Sequence, residues 1–181
     1  PNMPSCQVAI QLGLLGYNTA IATACAASSQ AIGEAAEVIR RGDASVMLAG
    51  GTEAPICQLT LASFCAIRAL STRNDDPQRA SRPFDSARDG FVLGEGAGVM
   101  VLERMSDARR RGARIYADVT GYASTCDAYH VTAPHPEGDG AARAITRALA
   151  RAKLSPQQVD YINAHATSTS VGDVAETFAI K

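Results

Sequence analysis

The spacing of hydrophobic and polar residues predicts alternating helices and strands, which is typical of an α/β protein. Apolar residues recur at helical spacing over residues 28–41 and cover most of the surface of the predicted helix, so this helix is expected to be buried. The apolar run at residues 45–51 predicts a fully buried strand. The same patterns predict further helices over residues 59–66, 104–112, 139–153 and 171–181, and further strands over residues 17–23, 91–95, 97–102, 115–124 and 159–163.

Cys25 stands where the predicted strand over residues 17–23 runs into a turn of small residues that opens a helix. The small side chains after Cys25 leave the first helical N–H groups free to face the sulfur. A helix N-terminus favours a thiolate over a thiol, so this position predicts a nucleophile. The alternative is a buried cysteine that acts as a small hydrophobic residue.

His165 follows a short alternating segment and precedes a run of hydroxyl side chains, Thr167, Ser168 and Thr169. An imidazole can stabilise an oxyanion that develops on a thioester. Cysteine and histidine partners are commonly distant in sequence and close in space. The alternative is a structural histidine whose ring is held by hydrogen bonds.

Five further segments carry a resemblance to a known family. With Cys25 and His165, they make the chain similar, over nearly its whole length, to the β-ketoacyl-acyl-carrier-protein synthases of type II fatty acid synthesis. Ala166 departs from the pattern, because the family usually has glycine after this histidine. The five segments lie in the family's order at residues 68–75, 80–85, 88–98, 127–130 and 163–165.

The resemblance implies a thiolase-like α/β fold with α-β-α-β-α layers, here incomplete because the chain looks truncated at both ends. Residues 1–108 are then expected to form the C-terminal part of the N-terminal ketoacyl synthase half. Residues 109–181 are expected to start the C-terminal half. The family's second histidine, a lysine and a glycine-rich loop are expected downstream, so the 181 residues alone are expected to be inactive.

The implied reaction is a decarboxylative Claisen condensation in fatty acid elongation. Cys25 would take an acyl group from acyl carrier protein, and His165 would stabilise the enolate formed from malonyl-acyl carrier protein. The partners implied are the carrier protein, with its phosphopantetheine-linked acyl and malonyl groups, and a second copy of the chain in a homodimer. No cofactor is implied.

Five other residues match family positions near the substrate. Thr167 and Thr169 resemble the threonines that bind the pantetheine arm, and Phe64 resembles an aromatic residue of the acyl pocket. His130 resembles a supporting group, and Thr132 is a candidate pocket-lining residue. The alternatives are ordinary turn chemistry for the threonines and core packing for Phe64.

Composition excludes several other classes of function. The net charge of −1 gives no electrostatic footprint for nucleic acid, and no apolar run is long enough to span a bilayer. Five cysteines without a close C-x-x-C pair favour neither a disulfide framework nor a zinc site, and no metal is expected. The expected location is a reducing cytoplasm, or the plastid stroma if the source is a plant.

Three alternatives to the fatty acid enzyme stay open. A polyketide ketosynthase shares the chemistry, although residues 68–85 look more like the fatty acid branch. A non-catalytic ketosynthase-like partner subunit keeps the fold but typically replaces the nucleophile, which the presence of Cys25 and His165 disfavours. The third is an inactive scaffold fragment.

Overall fold

The computed structural model describes residues 2–181 and divides them into two compact units. The first unit contains the chain up to Glu53 together with Gly96–Thr120. The second unit contains Ala54–Glu95 and Gly121–Lys181.

Residues 2–181 form six α-helices and two β-strands. Among these described helices, none combines the length and the hydrophobicity that a membrane span requires. Short 3-10 turns lie at Ala24–Ala26, Pro77–Arg79 and Pro156–Gln158. In chain order the elements are α1 (Met3–Leu12), α2 (Ala27–Arg41), β1 (Val46–Glu53), α3 (Gln58–Ala66), β2 (Gly96–Glu103), α4 (Met105–Arg110), α5 (Asp139–Ala152) and α6 (Gly172–Ile180).

The first unit is built on an antiparallel pair of strands with a helix packed on it. Strand β1 pairs with β2 in a register that runs from Val46 opposite Glu103 to Glu53 opposite Gly96. Helix α2 packs against β1. Its buried face contributes most of the core, and β1 adds one residue. The buried apolar residues of α2 and β1 are Ala35, Ala36, Val38, Ile39 and Ala49.

The second unit is organised around the packing of α5 against α6. An extended segment that precedes α5 lies along this helix. Two arginines of α5 hold that segment, since Arg143 donates to the Cys126 carbonyl at 3.1 Å and Arg151 donates to the Tyr122 carbonyl at 2.8 Å. Gly121 lies so close to α5 that a Cβ there would meet the Ala148 carbonyl oxygen at 2.2 Å.

The helices predicted from the sequence are confirmed, with small shifts at their ends. Helices α2, α3, α4, α5 and α6 match the predictions over residues 28–41, 59–66, 104–112, 139–153 and 171–181. The prediction that α2 is buried holds for its middle, where Gly33, Ala35, Ala36, Val38 and Ile39 are buried, and fails at its two ends, which are exposed. Helix α1 was not predicted, and none of its residues is buried.

The strand predictions succeeded only where two segments pair. The predictions over residues 45–51 and 97–102 are confirmed as β1 and β2. Residues 17–23, 115–124 and 159–163 are not strands, and residues 91–95 contribute only an isolated bridge from Phe91 to Leu70. An extended segment becomes a strand only when another segment hydrogen-bonds to it, and local pattern does not report that partner. The prediction that β1 is fully buried was also wrong, because Ala49 is its only buried residue.

Gly50 offers a test of how closely the two strands approach. A Cβ at Gly50 would meet the Gly98 carbonyl oxygen at 2.0 Å, whereas a Cβ at Gly98 meets nothing within 4 Å. We expect Gly50→Ala to lower the free energy of unfolding by about 1–3 kcal/mol through overpacking. Gly98→Ala is the matched control and is expected to change it far less. Urea unfolding of both variants checks this, and equal losses would contradict the packing argument.

Candidate active site

Cys25 lies in the 3-10 turn that leads directly into α2, and it is exposed. The Ala26 N–H donates to the Thr23 carbonyl at 3.2 Å and closes the turn. Ala24 has a φ of 51°, in the left-handed region that costs an alanine about 1–2 kcal/mol. Such strain clusters at functional sites. Cys25 is therefore not packed as a small hydrophobic residue in this structure, and the turn places it at the N-terminal end of α2.

The backbone at His165 forms a turn that is held by a carboxylate of α6. The His165 N–H donates to Glu176 Oε1 at 2.5 Å, and the Ala166 N–H donates to Glu176 Oε2 at 2.8 Å. His165 itself is exposed. The two backbone hydrogen bonds to Glu176 hold the start of the turn. Ala166 has a φ of 48°, a left-handed conformation that glycine adopts more readily than alanine.

The hydroxyls of Thr167 and Thr169 lie together at the start of α6. Their Oγ1 atoms are 2.9 Å apart, and Thr169 Oγ1 accepts the Gly172 N–H at 3.1 Å. A Cβ at Gly172 would meet these two oxygens at 2.9 and 2.4 Å respectively. The glycine therefore leaves the space in which the two hydroxyls sit.

Ser168 lies between the two threonines, and unlike them it is fully buried. Its hydroxyl accepts the Arg82 N–H at 3.0 Å, and its carbonyl accepts the Gly90 N–H at 2.9 Å. Its φ is 64°. Ser168 therefore binds the loop after His165 to the loop over residues 80–90. Sequence reasoning missed this role of Ser168. The run Thr167, Ser168 and Thr169 is the sequence signal that could have suggested that one hydroxyl in it is structural.

Asp173 and Arg88 join the same two loops in the interior. Asp173 is 2% exposed, and its Oδ2 accepts the Phe84 N–H at 2.6 Å and lies 3.3 Å from Arg88 Nε. Arg88 also donates to the carbonyl oxygens of Thr169 and Ser170, each at 2.8 Å. Sequence reasoning missed Asp173 and Glu176, although their spacing of three residues places both carboxylates on one face of α6.

The loop over residues 80–90 ends at a second charged contact. Asp89 lies 3.0 Å from Arg82 and accepts hydrogen bonds from the Ser71 hydroxyl at 2.6 Å and the Thr72 N–H at 3.0 Å. The Ser71 hydroxyl, with the Thr72 N–H, lowers the pKa of the Asp89 carboxyl from its usual value. This contact anchors the loop at its second end.

The other predicted site residues occupy separate places in the second unit. His130 Nδ1 accepts the N–H groups of Thr132 and Ala133, each at 3.1 Å, which places any proton of the neutral ring on Nε2. Phe64 makes an edge-to-face contact with Phe91, with ring centroids 5.3 Å apart. Two pairs of predicted site residues thus contact each other: the hydroxyls of Thr167 and Thr169, and the Thr132 N–H with the His130 ring.

The predicted nucleophile and the other predicted site residues belong to different units. Cys25 lies in the first unit, and His165 lies in the second with the remaining five candidates. Within residues 2–181, no group of three or more histidine, cysteine, aspartate or glutamate side chains is arranged to hold a metal ion.

Family models match nearly the whole chain. Residues 1–108 match the beta-ketoacyl synthase N-terminal domain, and residues 116–181 match the beta-ketoacyl synthase C-terminal domain. The chain is 57% identical over 180 residues to a 3-oxoacyl-[acyl-carrier-protein] synthase 2 of Synechocystis sp.. It is 54% identical over 181 residues to the Staphylococcus aureus protein of the same name. The two matches include 99% and 100% of this chain, but only 43% and 45% of the length of the respective relatives.

Solved structures agree with the thiolase-like α/β fold class that the sequence predicts. One solved structure is a type II PKS acyl-carrier protein in complex with its ketosynthase bound to the hexaketide. The chain matches it with a TM-score of 0.95 and 45% sequence identity. That match covers 98% of this chain and 44% of the other. A beta-ketoacyl synthase from Burkholderia phymatum matches with a TM-score of 0.95, 44% identity and coverage of 99% and 43%. The chain therefore has the fold of part of a ketosynthase.

Ala166 allows a stability test of the turn at His165. Ala166→Gly is expected to raise the free energy of unfolding by about 0.5–1 kcal/mol, because glycine adopts a positive φ without strain and loses only part of this gain to backbone entropy. Ala164→Gly, at a residue without a positive φ, is the matched control and is expected to lower it by about 0.4–1 kcal/mol. Urea unfolding measures both, and destabilisation by Ala166→Gly would contradict the assigned backbone strain.

Proposed function

The chain belongs to the beta-ketoacyl synthase family, and from this premise we propose that it supplies the nucleophile and one histidine of a 3-oxoacyl-[acyl-carrier-protein] synthase. The observation that carries the proposal is the exposed Cys25 at the head of α2, in a chain 57% identical to such a synthase over 180 residues. Since the chain spans only 43% of that relative, the complete active site and activity are part of the proposal.

The first step is acyl transfer to Cys25. The thiolate attacks the carbonyl carbon of the acyl thioester on the carrier protein and forms a tetrahedral intermediate. The bond to the carrier's sulfur then breaks, and the pantetheine leaves as a thiolate that takes up a proton from water. Covalent catalysis of this kind divides a difficult condensation into two easier steps.

The second step is condensation. Malonyl-acyl carrier protein loses its carboxylate as carbon dioxide, and the electrons of the broken carbon–carbon bond form an enolate. A hydrogen bond from His165 stabilises the enolate oxygen. The enolate carbon attacks the acyl-Cys25 carbonyl, and the Cys25 thiolate leaves. The product is a 3-oxoacyl chain, two carbons longer, on the carrier protein.

The remaining site assignments are part of the same proposal. Thr167 and Thr169 bind the amides of the pantetheine arm, which their adjacent hydroxyls at 2.9 Å support. Phe64 contributes to the acyl pocket, Thr132 lines it, and His130 supports the site through its fixed Nδ1.

We extend the proposal to organisation and partners. The division between the two ketoacyl synthase halves lies between residues 108 and 109, the partner is an acyl carrier protein, and the protein acts as a cytoplasmic homodimer. One structural neighbour is a ketosynthase in complex with its acyl-carrier protein, which supports the choice of partner. The 181 residues alone are proposed to be inactive, because they lack the family's second histidine.

A polyketide ketosynthase is the second candidate, because a type II PKS ketosynthase matches with a TM-score of 0.95. Its identity of 45% is lower than the 57% and 54% of the two 3-oxoacyl-[acyl-carrier-protein] synthases. The fatty acid reading is therefore favoured.

Acyl labelling tests the nucleophile in a chimera in which this chain replaces the matching segment of the Synechocystis relative. After incubation with an acyl-carrier thioester, mass mapping is expected to find the acyl group on Cys25, and Cys25→Ser is expected to abolish it. Cys57→Ser is the matched control and is expected to leave the labelling of Cys25 unchanged; Cys57 is an exposed thiol whose pKa is lowered by a hydrogen bond with the Thr60 side chain. Equal labelling of all five thiols, or unchanged uptake by Cys25→Ser, would refute the assignment.

Malonyl decarboxylation by the same chimera tests the histidine. His165→Ala is expected to lower the rate by about 10²–10³-fold, because one donor to the enolate oxygen is lost. His135→Ala is the control, since His135 makes an edge contact with Tyr129 and has no role in the proposed step. Carbon dioxide release is the measurement, and an unchanged rate after His165→Ala would remove the proposed role.

A further inference from the structure

Gly51 is the point at which β1 meets the first turn of α2. The chain reverses direction over residues 42–45, after Gly42 ends the helix with a φ of 86°, so the start of α2 lies beside the end of β1. A Cβ at Gly51 would overlap the Ser28 Oγ and would lie 2.9 Å from the Ser28 Cβ. The next nearest atom is the Ser28 Cα at 3.5 Å. Gly51 therefore leaves room on β1 for this one residue of α2.

The backbone conformation of Gly51 does not itself require a glycine. Gly51 is not among the residues with a positive φ. It pairs with Gly98 of β2, where a Cβ meets nothing within 4 Å. Glycine in the interior of a strand weakens the strand, and it often marks a place where another part of the backbone approaches closely. At Gly51 the approaching part is the start of α2, through Ser28.

Ser28 is coupled to Cys25 through the backbone that they share. Residues three apart are neighbours on the surface of a helix, and Ser28 is the third residue after Cys25. The 3-10 turn that contains Cys25 continues into α2 at Ala27 without a break. The Ala27 N–H donates to the Ala24 carbonyl and joins the turn to the helix. A shift of the backbone at Ser28 therefore moves Cys25 as well.

A methyl group at position 51 would act on two atoms of Ser28 in different ways. Ser28 is exposed, so its hydroxyl has room to rotate away. Its Cβ is bonded directly to the helix backbone, and 2.9 Å is well inside the contact distance of about 3.5–4.0 Å between carbon atoms. Strand β1 is paired with β2 over all eight of its residues. The start of α2, and not the strand, is therefore the part that moves.

We propose that Gly51 is a positioning residue for the nucleophile: by leaving room for Ser28, it fixes where the first turn of α2 presents Cys25. Gly51 acts through Ser28 and has no contact with substrate in this role. The proposal rests on the proposed function, in which Cys25 accepts the acyl group. It concerns acyl transfer to Cys25, and not the stabilisation of the enolate by His165.

Gly51→Ala in the chimera tests the proposal. Acyl loading of Cys25 is expected to fall about tenfold, because even a displacement of a reacting group by a fraction of an ångström lowers the rate, while malonyl decarboxylation stays within about twofold. Gly98→Ala makes the same change at the paired residue of β2 and is expected to alter neither rate. Equal losses of loading and decarboxylation in Gly51→Ala, or unchanged loading, would overturn the proposal.

Ser28→Gly supplies the rescue, because it removes the Oγ and the Cβ and leaves only the Cα at 3.5 Å, an ordinary contact distance. Adding it to Gly51→Ala is expected to raise the loading rate at least about threefold, and the two changes are expected to be non-additive. Ser28→Ala, which keeps the Cβ, is expected to recover less. If Gly51→Ala alone does not fold, the double variant with Ser28→Gly is still expected to fold and to load Cys25. A double variant that recovers no loading would contradict the positioning role.

A spectroscopic readout separates this proposal from the proposed function. In the chimera labelled with ¹⁵N-cysteine, the amide resonance of Cys25 is identified by its loss in Cys25→Ser. This resonance is expected to move in Gly51→Ala and to return when Ser28→Gly is added, while that of Cys65 in the second unit stays in place. An unmoved Cys25 resonance would overturn the positioning role even if loading falls. If the unsubstituted chimera loads no acyl group, the proposed function fails, and the Cys25 resonance still decides the positioning role.

Discussion

The buried carboxylate of Asp173 is the contact on which the site in the second unit depends. It is 2% exposed, it lies 3.3 Å from Arg88, and it accepts the Phe84 N–H at 2.6 Å. A buried charge of this kind is tolerated only when it is paired, and loss of one partner typically costs about 3–5 kcal/mol. Arg88 Nε, which lies nearest to Asp173, also donates to the carbonyl oxygen of Thr169, and a second N–H group of Arg88 donates to the carbonyl oxygen of Ser170. One ion pair thus joins α6, the loop after His165 and the loop over residues 80–90.

Backbone strain marks both proposed catalytic residues. Ala24 precedes Cys25 with a φ of 51°, and Ala166 follows His165 with a φ of 48°. Non-glycine residues keep such conformations only where the surroundings enforce them. Before Ala166, the N–H groups of His165 and Ala166 both donate to Glu176, which holds the backbone that leads into this turn. At Ala24, the hydrogen bond from the Ala26 N–H to the Thr23 carbonyl closes the 3-10 turn that leads into α2.

Sequence reasoning predicted what is local and missed what is not. The five predicted helices are recognisable because helical periodicity, caps and glycine stops lie within a few residues of one another. Three predicted strands failed because pairing depends on distant segments. The same division holds at the site. Cys25 and His165 stand in distinctive local patterns. Ser168, Asp173 and Glu176 accept hydrogen bonds from backbone groups that the local pattern does not identify.

The hydrogen bonds of the second unit explain why the proposed binding side chains stay exposed or half-exposed. Backbone groups of a loop need partners when the loop packs against its neighbours. Here the partners are side chains reserved for that purpose: Ser168 and Asp173 accept loop N–H groups, Arg88 donates to loop carbonyls, and Glu176 accepts two N–H groups at the turn. The loop after His165 is therefore held by its backbone. The same set of contacts thus holds the main chain, while the His165 side chain stays exposed and the two threonines stay half-buried.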